Sequence, residues 1–172
     1  MTPKRVALFA SLKYCTRLSH LNEALCVKED FSLGAWSEDN FGNDNASDWI
    51  WELEVSKGLN TLLSPIQSVL NENEYLEADI CSEALAASEV IAAAITDDQT
   101  LLPDEARNWL NRKQGWLIGR KPQITAEHAK QALSAVQKVI SCSELQELWE
   151  EGGVNEKWRT IQANLIAKLE NA

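Results

Sequence analysis

The chain has 172 residues, 26 of them acidic and 16 basic, for a net charge of −10; an anionic surface repels phosphate polymers, which argues against nucleic acid as a partner. A chain of this length can bury about two-thirds of the surface its unfolded form exposes, so it needs no disulfide or metal staple to fold. No apolar run is long enough to span a bilayer, and the basic start, Met1 to Lys13, has no small-residue cleavage site behind it, so the expectation is a cytoplasmic protein without a membrane partner.

Charge divides the chain. Residues 1–33 carry +2 and residues 34–172 carry −12, which predicts an N-terminal extension, a marginal helix or disordered, ahead of a single acidic domain. Val6 to Val27 has only a ragged helical pattern. From Gly34 to Asn43 the residues are turn formers interrupted by Trp36 and Phe41. Asp44 or Asn45 can then cap a helix that places Trp49, Ile50 and Leu53 on one face. Ser64-Pro65 reads as the next helix start, because a proline in the first turn needs no N–H partner.

Tyr75 to Ile95 is the longest periodic stretch, apolar almost all round and rich in alanine. As a helix it is roughly 30 Å long, and a helix of that character belongs inside a domain with others packed against it. Pro103-Asp104-Glu105 opens another helix with Ala106, Trp109 and Leu110 inward. Gln114 to Pro122 is bounded by glycine and proline and reads as a loop. Thr125 caps a helix with the face Ala129, Ala132, Leu133, Val136, Val139 and Ile140. Ser143-x-x-Gln146 is a capping-box pattern before a short turn. After Gly152-Gly153, Asn155 caps a last helix with the stripe Trp158, Ile161, Leu165 and Leu169. The predicted fold is all-α, a compact bundle of about six helices around the long apolar one, Tyr75 to Ile95.

Three blocks carry a family resemblance: Gly34-Ala35-Trp36 with Phe41, Asn43-Asp44, Ala46 and Asp48-Trp49; Tyr75 to Ala78 with Ser82 to Ala87; and Ser143 to Glu151 with Trp158 after it. In this order they resemble the domain of unknown function 4259 family of small bacterial proteins. The resemblance covers residues 34 onward and implies a fold but no established activity. Ser37 and Asp39 stand where that pattern has glycines, and Leu33 stands where such chains begin with methionine.

Chemistry-bearing residues are sparse. Cys15, Cys26, Cys81 and Cys142 form no Cys-x-x-Cys pair, and His20 and His128 have no second histidine near them; free thiols in a reducing compartment are expected, with no metal site and no cofactor. Core packing outweighs a Cys81 or Cys142 thiol paired with His128. A calcium loop over Ser37 to Asp48 fails on spacing, since only Asp39 falls on a ligand position once Gly42 is placed as the loop glycine. Arg112-Lys113 and Arg120-Lys121 flank Trp116, a pattern that binds single strands elsewhere, but the acidic remainder favours a solvated loop.

Glu77, Glu83 and Glu89 lie on or beside the central helix and are read as structural carboxylates accepting hydrogen bonds from indoles or helix N-termini. Glu83 and Glu89 are roughly 120° apart around a helix, awkward for a hydrolase acid–base pair. Trp51 points away from the apolar face of its helix, among acidic residues. The expectation is therefore a binding protein rather than an enzyme: an immunity protein that occludes a basic, nuclease-type toxin through Glu38, Asp39, Asp48, Trp51, Glu52 and Glu54. A hydrolase using Glu83 and Glu89, or a module that self-associates as a homodimer, are the alternative readings.

Overall fold

The computed structural model describes residues 37–112 and 123–171, all within one compact unit. The expected extension, the helix at Val6 to Val27 and the loop Gln114 to Pro122 lie outside the described residues. The described residues form seven helices and no strand: α1 (Asp44–Val55), α2 (Asn60–Asn71), α3 (Ala78–Thr96), α4 (Asp104–Asn111), α5 (Ala126–Ser141), α6 (Glu144–Glu150) and α7 (Glu156–Glu170). The architecture is all-α, as its sequence periodicity requires. The segment after Ser143, expected as a turn, is a helix in its own right.

α3 is the axis. It packs on α1, α2, α5, α6 and α7, and Ala84 to Ala93 are buried without a break. Small side chains let the neighbours approach, so Ala86, Ala87 and Ala92 are fully covered while Leu85, Val90 and Ile91 fill the spaces between helices. Burying one aliphatic side chain such as Ile91 contributes about 1.5–3 kcal/mol. A leucine at Ala87 would instead overpack the axis, at about 1–3 kcal/mol.

Several helix ends are finished by other helices, and there the expected boundaries move. α3 starts at Ala78, not Tyr75, because the Ala78 N–H donates to Glu144 Oε2 at 2.8 Å while the Glu144 N–H donates to Leu76 O at 2.9 Å. Tyr75 is left half exposed. α2 starts at Asn60, a turn before Ser64-Pro65, so Pro65 lies inside the helix. Proline cannot address the carbonyl four residues back, which is Thr61; that oxygen accepts from the Trp49 indole of α1 at 3.3 Å. At the other end of α2, Lys138 Nζ of α5 donates to Val69 O at 2.8 Å and to Glu72 O.

Local caps finish the starts of α1, α5, α6 and α7. α1 is capped by Asn43, one residue before the expected Asp44 or Asn45, with Oδ1 accepting from the Ala46 N–H at 2.8 Å. At the C-terminal end of α1, Arg112 donates to Glu54 O and Ser56 O, and the Trp109 indole donates to Ser56 Oγ at 3.2 Å. His128 Nδ1 accepts from the Thr125 N–H at 3.1 Å, closing the start of α5. Ser143 Oγ accepts from the Gln146 N–H at 3.1 Å, but the Gln146 amide goes to Glu150 rather than back to Ser143, so only half of the expected box forms. Asn155 caps α7 through the Trp158 N–H at 3.0 Å, as expected.

Candidate functional site

α1 divides into two faces. Ala46, Trp49, Ile50 and Leu53 are buried at the spacing of a core-facing stripe. On the opposite side Asp44, Asp48, Trp51, Glu52 and Val55 are all exposed, at steps of three and four that place them on one face. Trp51 is 60 % and Val55 76 % exposed. Neither α1 nor α3 contains a lysine, arginine or histidine. Asp44 and Val55 were not singled out from sequence, although the same spacing that identified Trp51 places them beside it.

The acidic surface continues across the seam between α1 and α3. Asn45 Nδ2 donates to Asp79 Oδ1 at 2.6 Å. Glu83, one turn further along α3, is half-buried, and burial together with the charges of Glu52 and Asp79 raises its pKa above the ordinary carboxylate value. Among the described residues no cation forms an ion pair with Glu52, Asp79 or Glu83. The seam therefore holds like charges that a cation from outside would relieve.

Not all of the expected partner-binding residues share this surface. Asp48, Trp51 and Glu52 do. Glu38 pairs with Lys157 of α7 at 2.6 Å, and that hydrogen bond lowers its pKa. Asp39 is occupied within its own turn, accepting from the Phe41 N–H at 3.0 Å and from Ser37 Oγ. The turn closes with Ser37 N–H on Gly42 O and Gly42 N–H on Asp39 O, both at 3.2 Å. A Cβ at Gly42 would run into the Ser37 side chain and come within 2.9 Å of Asp39 Oδ2. Glu54 is half-buried beside the Arg112 contact with its own carbonyl oxygen.

The three carboxylates assigned to structure also separate. Glu77 is exposed at the start of α3 and makes no side-chain cap. Glu83 belongs to the acidic seam. Glu89 is 5 % exposed and accepts from Asn40 Nδ2 at 3.1 Å, whose Oδ1 in turn accepts from Gln162 Nε2 at 2.7 Å. The partner of Glu89 is thus an amide of the opening turn, not an indole: the Trp49 and Trp109 indoles serve Thr61 and Ser56. Glu83 and Glu89 have different neighbours and do not converge. Asn40 and Gln162 were both missed from sequence. Gln162 carried a signal, because with Trp158, Leu165 and Leu169 it completes the buried stripe of α7 that Ile161 was expected to share.

Cys81 is fully buried, and burial pushes its thiol up to about 11, unreactive at neutral pH. Cys142 is exposed, and both thiols are free. His128 is engaged at the start of α5. Among the described residues no group of three or more His, Cys, Asp or Glu could hold a metal ion, and no helix is long and apolar enough to cross a membrane. Of the basic pattern considered for single-stranded nucleic acid, only Arg112 is described, and it caps α1; Lys113, Trp116, Arg120 and Lys121 lie outside the described residues.

Residues 34–160 match the family described as Domain of unknown function (DUF4259), and the chain belongs to that family. No curated protein and no solved structure matches the chain.

Proposed function

We propose that this member of the DUF4259 family is a binding protein whose α1 face takes a basic protein partner, and that the partner is a toxin domain, commonly of nuclease type, which the chain occludes as an immunity protein. The observation that carries the reading is Trp51, 60 % exposed in the middle of an acidic helical face that has no basic residue. An aromatic anchor ringed by charge of one sign is the composition of an interaction hot spot, and complementary charge steers a cationic partner toward it. The free Cys81 and Cys142 thiols support a cytoplasmic setting, where such a partner would be neutralised.

The test compares capture from a lysate of the source cells by the tagged chain and by the Trp51→Ala/Asp48→Lys/Glu52→Lys variant. A basic protein should be retained by the parent alone and lost as salt is raised. Its toxicity on expression should be suppressed by co-expressing the parent and not the variant. An acidic partner, or one held equally by both chains, would sink the reading. Concentration-dependent self-association abolished by Trp51→Ala would place a second copy on this face instead.

A further inference from the structure

The chain Gln162 to Asn40 to Glu89 has one acceptor too many. Gln162 is 1 % exposed, and its Oε1 is buried with no donor among the described residues. Its Nε2 donates to Asn40 Oδ1 at 2.7 Å, and Asn40 Nδ2 donates to a Glu89 oxygen at 3.1 Å. An amide offers a donor on one side and an acceptor on the other, whereas an ionised carboxylate offers acceptors only. With Glu89 charged, the chain therefore ends in a buried anion at one terminus and an unsatisfied carbonyl at the other. Both are costly in a dry interior, and one proton on Glu89 corrects both.

We infer that Glu89 is a neutral carboxylic acid in the folded protein, that its O–H donates to Gln162 Oε1, and that the resulting ring of three hydrogen bonds latches the Ser37–Asn43 turn onto α3 and α7. Each of the three groups then donates once and accepts once, and no buried polar atom of the ring is left over. The charged groups that face Glu89 do not reverse this. Lys168 of α7 favours the anion, but its amine pairs with Asp98 at 3.4 Å. Asp98, just past the end of α3, and Asp39, in the turn, disfavour the anion. Burial is the largest influence and raises the pKa of Glu89, against the opposing pull of Lys168 and Asn40.

The latch opens in one direction. As pH rises through the raised value, the ring loses its proton and with it the bond from Glu89 to Gln162, and a buried charge is left against the turn. That turn supplies Asn43, the cap of α1, so loss of the proton loosens the start of the helix that carries Trp51.

The test is an NMR titration of the full chain labelled with carboxyl ¹³C in glutamate, with the Glu89 resonance assigned by its absence in Glu89→Gln. Glutamine keeps one donor and one acceptor, so this variant preserves the ring without a proton to lose. Glu89 should titrate well above the ordinary carboxylate value of about 4.3. The unfolding temperature of E89Q at neutral pH should equal or exceed that of the parent, and its decline as pH rises should be shallower than the parent's, with Glu83 accounting for the remainder. A Glu89 resonance that titrates at or below the ordinary value overturns the inference, as does E89Q melting several degrees below the parent at neutral pH.

Discussion

Two flanks of one helix treat negative charge in opposite ways. On the flank of α3 that meets α1, Glu83 is half-buried near Glu52 and Asp79, and water screens a charge that no cation among the described residues pairs with. On the flank that meets α7 and the opening turn, Glu89 is shut away with two amides. Six residues separate the two carboxylates, and their side-chain chemistry is identical. Solvent access makes the difference: a charge at the surface costs little and is available to a partner, while a charge in the interior must be neutralised or fully hydrogen-bonded.

The largest effect should come from breaking the buried flank. Asn40→Ala removes the donor to Glu89 and the acceptor for Gln162 together, and leaving two buried polar groups without partners costs about 3 kcal/mol. Urea unfolding monitored by tryptophan fluorescence would read this as a lower midpoint at an unchanged slope. A cost as small as that of a surface substitution would show that the flank is wetter than its burial implies.

Lys138→Ala should come next. It deprives the end of α2 of the charge-assisted hydrogen bonds to Val69 O and Glu72 O, worth about 2 kcal/mol. The same urea assay checks it, and Lys138→Arg should recover part of the loss.

On the exposed flank, Glu83→Gln should alter stability by no more than about 0.5 kcal/mol at neutral pH, and in the stabilising direction, because it removes repulsion from Glu52 and Asp79. The sign follows from linkage. Glu83 and Glu89 bind protons more tightly folded than unfolded, so their contribution is complete below the ordinary carboxylate value and is lost as pH rises through their raised values. Glu38 and Glu150, held low by Lys157 and Arg159, contribute above the ordinary value and lose it as pH falls through their lowered ones. Thermal midpoints should therefore pass through a maximum in mildly acidic buffer. E83Q should flatten the alkaline side only in part, since Glu89 remains.

Glu38→Gln should matter least. Its ion pair with Lys157 is solvent-screened, so the midpoint should fall only slightly at neutral pH and meet that of the parent in acid, where Glu38 is protonated, leaving a shallower acid limb. If binding to a basic partner were lost in this variant but retained in Trp51→Ala, the interaction surface would have to move from α1 to the turn.

Much of the fold was legible because it is written in local terms. The periodicity of Tyr75 to Ile95, the stripes of α5 and α7, and the capping residues Ser143 and Asn155 depend on residues three and four apart, and the helix makes those neighbours whatever surrounds it. The exposed aromatic face of α1 was legible for the same reason. Its companions Asp44 and Val55 followed the same rule and were passed over.

What tertiary structure alone decided lies where groups far apart in sequence meet. Pro65 inside α2 is tolerated because Trp49 takes the carbonyl it leaves free, and α3 starts at Ala78 because Glu144 receives its N–H. Asn40 and Gln162, 122 positions apart, meet only once the turn, α3 and α7 have packed, so no spacing in the chain links them to Glu89. The sequence by itself determined most of the helical segments and most of their apolar faces, since those follow from periodicity. Which carboxylate stays charged depends on how much water the folded neighbours leave around it.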